Sequence, residues 1–206
     1  MAKKFIKYMG ENFGNPQGIG GVIFTKIMNI FCQMQYKTVL ENINLELKDN
    51  VLDIGFGNGY LIKKLLRKNI IIKIFGIDIS NDMKNKVSKK LKHFIEKQYL
   101  KLSLEDIQNT SFENETFNKI YTVNTIYFWK DLDKCFSEIK RIIKSNGIFI
   151  NVIYTKEYLD KMFHTKYGYN KYTFEEIKNI TEKNGMEILK IIEIKRNKSY
   201  CIISKK

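Results

Sequence analysis

The chain has 206 residues, of which 44% are hydrophobic, 13% aromatic and 28% charged, proportions that exclude a disordered, collagen-like or disulfide-scaffold protein and suit one domain with a full core. Lys and Arg number 36 against 22 Asp and Glu, a net charge of +14, which on its face points to nucleic acid, an anionic surface or an acidic partner. Only Arg67, Arg141 and Arg196 are arginines, however, and lysine lacks the planar fork suited to phosphates and base edges, so the excess is a weak nucleic-acid footprint.

Along the chain, Lys3, Lys4 and Lys7 lead into Gly10, Glu11 and Asn12 without the apolar run of a secretory signal. Ile19 to Met34 places Val22, Ile23, Ile27, Ile30 and Phe31 on one stripe but includes Lys26, Asn29 and Gln33. That pattern predicts an amphipathic helix and not a membrane span, one of two helices expected before the first strand. Cys32, Cys135 and Cys201 are dispersed, which fits reduced thiols in a cytoplasmic protein and supports neither a disulfide framework nor a metal site.

From about residue 49, short apolar runs alternate with helical periods, the pattern of βαβ units around a parallel sheet. Strands are expected at Val51 to Ile54, Ile70 to Ile79, Tyr99 to Leu104, Phe117 to Val123 and Ile148 to Tyr154. Between them, Leu61, Ile62, Leu65 and Leu66 share one helical face, and Met83, Val87, Leu91, Phe94 and Ile95 define a single helix backed by lysines, most simply a solvated face. Leu132, Cys135, Phe136, Ile139, Ile142 and Ile143 form the cleanest stripe, with Asn146-Gly147 as its stop. Thr173 to Glu176 has capping-box spacing, and its helix should end near Asn184-Gly185. Ile188 to Ile194 and Tyr200 to Ser204 then read as an antiparallel hairpin around Arg196-Asn197-Lys198. The whole is α/β, about seven mostly parallel strands closed by a hairpin.

The segment Val51-Leu52-Asp53-Ile54-Gly55-Phe56-Gly57-Asn58-Gly59-Tyr60 carries the chemistry. Glycines at alternate positions between a strand and a helix let the backbone turn sharply and approach a ligand. A dinucleotide fingerprint needs a small residue where Tyr60 stands, which weakens a nicotinamide-dependent oxidoreductase.

This segment resembles motif I of the class I S-adenosylmethionine-dependent methyltransferases, a Rossmann-like family whose usual form is close to V-L-D-x-G-x-G-x-G. The surroundings fit as well: Asp78 and Ile79 end the second strand, Glu105, Asp106 and Ile107 follow the third, and Asn124 to Trp129 follows the fourth. The resemblance implies S-adenosyl-L-methionine as cofactor. Asp53, Gly55, Gly57 and Gly59 would hold its methionyl part, Asp78 and Ile79 its nucleoside, and Asp106 and Ile107 its base, with Asn124 alongside. Phe13 to Gly21, including Asn15 and Gly18, is similar to the start of a group of small bacterial methyltransferases. It implies that Asn15, Gly18, Tyr127 and Trp129 border the acceptor.

Residues 1–206 are then one domain, with an acceptor-side cap at 1–48, a cofactor core at 49–154 and a closing helix and hairpin at 155–206. No general base stands out; Tyr127 and His164 are the candidates, although a histidine such as His164 is commonly a plain surface residue. Phe128 and Trp129 suit core or lid packing as well as substrate contact, and Tyr167, Tyr169 and Tyr172 could stack on a planar acceptor or merely fasten a loop. The expected activity is methyl transfer to a small molecule. An RNA- or protein-directed enzyme, favoured by the charge, and a non-catalytic binding protein are the alternatives. Segments 9–25, 49–62, 74–83, 102–118 and 120–129, expected to border the crevice, contain no Lys or Arg.

Overall fold

The computed structural model describes residues 32–206; the stripe from Val22 to Phe31, and with it Asn15 and Gly18, lies outside the described residues. Seven strands, β1 Asn50–Ile54, β2 Lys73–Asp78, β3 Leu100–Leu104, β4 Phe117–Val123, β5 Ile143–Tyr154, β6 Glu187–Lys195 and β7 Ser199–Lys205, make one sheet in the order β3-β2-β1-β4-β5-β7-β6. The first five run parallel, and β7 lies antiparallel to β5 and to β6, which is the architecture the patterning predicts. Chain order reverses at β1, so the loops after β1 and β4 diverge and leave a crevice at the carboxyl ends of the strands.

The sheet is covered on both faces, which is why its central strands read as near-continuous apolar runs. On one face Leu52, Ile54, Ile120 and Phe149 pack against Cys135, Phe136, Ile139 and Ile142 of helix α5, Leu132–Ile142, and Ile177 of α7, Phe174–Lys183. On the other, Val51, Ile74, Tyr121 and Ile150 meet Val39 of α1, Gln33–Asn42, Leu61, Ile62 and Leu65 of α2, Tyr60–Leu65, and Met83 and Val87 of α3, Asn81–Lys90. Full burial of each such aliphatic or aromatic side chain contributes about 1.5–3 kcal/mol. A short α4, Lys92–Glu96, and α6, Lys156–Leu159, are the remaining α-helices among the described residues.

Helix ends follow local chemistry. The capping box forms as the spacing predicts: Glu176 N donates to Thr173 Oγ1 at 3.2 Å, and Thr173 N donates to Glu176 Oε2 at 2.7 Å. Two expectations are corrected. The helix expected from Met83 to Ile95 breaks at Leu91, whose backbone leaves the helical region (φ −114°, ψ 22°). The stripe continues across the break because Phe94 and Ile95 still pack on the same core. Asn146-Gly147 does not stop α5, which ends at Ile142. The chain is already extended at Ile143, which is fully buried and pairs with Phe117 before a register shift to Lys119↔Ile148. The Asn-Gly pair marks that bulge: a side-chain carbon on Gly147 would lie 2.6 Å from Ile143 Cγ1, too close to be accommodated.

Asn151, buried in β5, has no hydrogen-bond partner for either side-chain polar atom among the described residues. An unsatisfied buried amide costs about 1–3 kcal/mol, and leucine has the same branched shape. Asn151→Leu is therefore expected to stabilise the protein by about 1 kcal/mol, read as a higher denaturant midpoint at constant slope; an unchanged or lower midpoint would count against an unsatisfied amide.

Candidate functional site

At the crevice, a cavity of about 380 Å³ is lined by residues that include Asp53, Gly55, Gly57, Asp78, Ile79, Asp106, Ile107, Asn124 and Trp129, a size typical of small-molecule pockets. Its described lining carries four carboxylates, Asp53, Asp78, Glu105 and Asp106, against one cation, Lys130. The basic shell therefore surrounds an acidic crevice.

The glycine loop is shaped by two requirements. At Gly55 (φ +74°) any side chain would overlap Thr125 Cγ2, so the loop after β1 can pack against the loop after β4 only through a glycine. At Gly57 (φ +51°) an added carbon would meet no atom of the described residues within 4 Å, a cradle open to a ligand. Gly59 does not line the cavity; it precedes α2 and packs on Val87 of α3. From outside, Lys90 Nζ donates to Asn58 O at 3.0 Å.

Asp78, at the end of β2, ties this loop to the next helix. Its Oδ2 accepts from Gly57 N at 2.8 Å, and its Oδ1 accepts from Ser80 N at 2.9 Å. Burial pushes its carboxyl above the usual carboxylate range, against the pull of these backbone donors. A carboxylate has about four lone-pair sites, so it retains acceptor capacity toward the cavity. Ile79 is 50% exposed at the rim, an apolar surface available to a flat ring. Asp106 accepts from Gln108 N and Nε2, both at 3.0 Å, and Ile107 is buried beside it.

Asp53 differs from the other acids. It is buried, its Oδ2 accepts from Tyr121 OH at 2.8 Å, and its Oδ1 receives no hydrogen bond among the described residues. Burial raises its carboxyl to about 8, opposed by the Tyr121 hydrogen bond and reinforced by nearby Asp78.

Part of the cavity wall is made of neutral groups. Tyr36 and Tyr60 stack with ring centroids 5.0 Å apart and both line the cavity, as do Phe128 and Trp129. Asn124 turns the chain after β4 with φ +59°, and its side chain is saturated. Nδ2 donates to Gln35 Oε1 at 2.7 Å and to Cys32 Sγ at 3.4 Å, while Oδ1 accepts from Gln35 Nε2 at 3.3 Å and Tyr127 OH at 3.2 Å. Burial pushes the Cys32 thiol up to about 11. Tyr127 does not line the cavity; it is buried, its hydroxyl also hydrogen bonds with Tyr154 N and Tyr154 O, and burial raises it far above its usual range. His164 also lies outside the lining, half-buried beside Phe163 and Tyr169, and burial lowers its imidazole. Among the described residues no cluster of His, Cys, Asp and Glu is placed to hold a metal ion.

Sequence reading missed Gln35, Tyr36, Tyr60 and Tyr121. Gln35 reaches Asn124, and Tyr36 the crevice, only through the packing of α1 on the sheet, and Tyr121 meets Asp53 only because β1 and β4 pair in the register Asp53↔Tyr121.

The family described as methyltransferase domain matches residues 52–151. The uncharacterized methyltransferase YdaC of Bacillus subtilis is 24% identical over 108 residues, 52% of this chain and 58% of that protein. The sterol 4-C-methyltransferase strm-1 of Caenorhabditis elegans is 26% identical over 199 residues, 89% of this chain and 57% of that protein. The chain thus spans less than two thirds of either relative. In fold it is similar to geranyl diphosphate C-methyltransferase from Streptomyces coelicolor, solved with Mg2+, geranyl diphosphate and S-adenosyl-L-homocysteine, at a TM-score of 0.73 and 12% identity over 84% of this chain and 78% of that one. Residues 52–151, which build this crevice, thus carry a methyltransferase domain, in the fold of the S-adenosylmethionine-dependent methyltransferases.

Proposed function

We propose that the protein moves a methyl group from S-adenosyl-L-methionine to a small-molecule acceptor. The observation that carries this is the open cradle at Gly57, whose N–H is held by Asp78 and which faces an acid-lined cavity. The cofactor brings a sulfonium-activated methyl group ready for in-line displacement, so the protein's task is alignment and exclusion of water. Gly55 and Gly57 admit the methionyl part beside Asp53. Asp78 accepts from the ribose hydroxyls with its spare lone pairs, Ile79 and Ile107 pack on the base, and Asp106 accepts from its amino group. Acidic surroundings suit a ligand bearing both a sulfonium and an ammonium.

On the acceptor side, Tyr36, Tyr60, Phe128 and Trp129 offer flat apolar surface, which supports a small, partly planar acceptor. Tyr127 and Asn124, with their hydrogen-bonding groups occupied, hold the shape of this wall; Tyr127, raised by burial, is unsuited to accept a proton near neutrality. Residues 1–48 would close this side as a cap. A cytoplasmic setting agrees with three free, buried cysteines, and no helix among the described residues is long and apolar enough to cross a membrane.

The test is transfer of labelled methyl from S-adenosyl-L-methionine across thiols, amines, phenols, carbon acids, tRNA, rRNA and protein. Turnover on a small acceptor is the expected result. Preferential labelling of RNA or protein would replace the acceptor class, and cofactor binding without turnover on any of them would leave a non-catalytic binder.

A further inference from the structure

The Asp53–Tyr121 pair does more than fill the core. Asp53 lies where β1 ends, on the face covered by α1 and α2, with one oxygen held by Tyr121 and the other, Oδ1, left without a donor among the described residues while the residue lines the cavity. Tyr121 is fully buried in β4, directly opposite Asp53 in the parallel register. The groups acting on this carboxyl are Tyr121 from β4 and Asp78 from β2; Tyr36 from α1 also feels it. Among the described residues no cation acts on it. A buried carboxylate with an idle oxygen, acidic and phenolic neighbours and no counter-ion from the described residues is a site suited to a ligand's positive charge.

Resting on the cofactor reading above, we propose that Tyr121 is a positioning residue that fixes the Asp53 carboxylate with Oδ1 toward the cavity, so that the pair selects ligands by the ammonium of their amino-acid end and couples their binding to release of a proton. The hydrogen bond from Tyr121 favours the ionised carboxylate, whereas burial and Asp78 oppose it. Arrival of an ammonium completes the ionisation: the proton leaves the carboxyl for solvent and the ammonium–carboxylate pair forms. Affinity for an ammonium-bearing ligand therefore rises with pH while Asp53 is still protonated in the free protein, and levels off near pH 8, where its carboxyl titrates. A ligand without the amino-acid end shows no such dependence.

Calorimetric titration of the full chain with S-adenosyl-L-homocysteine and with 5′-methylthioadenosine, between pH 6 and 8, tests this. In the native protein the first ligand should bind more tightly as pH rises, with proton release seen as a dependence on buffer ionisation heat, and the second should not. Tyr121→Phe removes the donor, moves the rise to higher pH and lowers S-adenosyl-L-homocysteine affinity at pH 7 by about tenfold or more, the size of one hydrogen bond to a charged group. 5′-Methylthioadenosine affinity should stay within about twofold. Asp53→Asn, neutral throughout, should flatten the profile. The proposal is overturned if Tyr121→Phe matches the native pH profile, or loses both ligands equally, as a merely structural residue would. Failure of the native protein to bind S-adenosyl-L-homocysteine at any pH would instead overturn the cofactor reading, and this inference with it.

Discussion

Gly57→Val should weaken S-adenosyl-L-homocysteine binding by at least about 100-fold, or roughly 2.7 kcal/mol, while the protein still folds. Of the loop's three glycines, Gly57 is the one where an added side-chain carbon meets no atom of the described residues within 4 Å, so the valine methyls occupy ligand space and not that of a described neighbour. The backbone cost is separate: φ +51° is strained for a β-branched residue, on the order of 1–3 kcal/mol. Calorimetric titration gives the binding loss and thermal unfolding gives the stability loss. A variant that folds and binds within threefold of the native protein would remove Gly57 from the cofactor site. Gly55→Val makes the contrast, because its side chain overlaps Thr125; there loss of fold accompanies loss of binding.

Asp78→Ala should be comparably damaging by another route. The carboxylate accepts from Gly57 N and Ser80 N, so its removal strands two partly buried amides and loosens the loop that must meet the ligand. Each stranded amide costs about 1–3 kcal/mol, and the ribose loses its acceptor as well. Binding should fall at least about 100-fold with a clear drop in unfolding temperature. Asp78→Asn keeps the volume but turns one acceptor into a donor facing an N–H, so it should recover stability only in part. Native-like affinity in both variants would show that Asp78 braces the loop without touching the ligand.

These expectations differ in how visible they were in the sequence. Gly55, Gly57, Asp78 and Asp106 could be placed because each lies within a few residues of a strand end, and strand ends are marked by apolar runs that stop at glycine or an acid. The carboxyl ends of parallel strands meet at one edge of the sheet, so such residues gather in one crevice even though the chain between them is long. The same local logic located the capping box at Thr173 and the closing hairpin.

The misjudged features fail that logic for definite reasons. The break at Leu91 leaves the apolar stripe intact, so periodicity cannot reveal it. Asn146-Gly147 carries the same turn chemistry whether it ends a helix or bulges a strand, and the choice fell to Ile143, which gains full burial by pairing with β4. Asn124 lines the cavity, but its side-chain partners Gln35, Cys32 and Tyr127 could not be read from the sequence. Partners separated by up to 92 residues leave no local signature.

By itself, then, the sequence determined the α/β architecture, the glycine loop and the acids at its strand ends, because periodicity, turn residues and caps act over a few residues and express the same preference in any context. Only the tertiary structure decided that Tyr121 holds Asp53, that Gln35, Cys32 and Tyr127 saturate Asn124, and that Tyr36 and Tyr60 stack in the cavity wall. Those contacts depend on strand register and on how α1 lies across the sheet, and both are settled by packing the whole core at once.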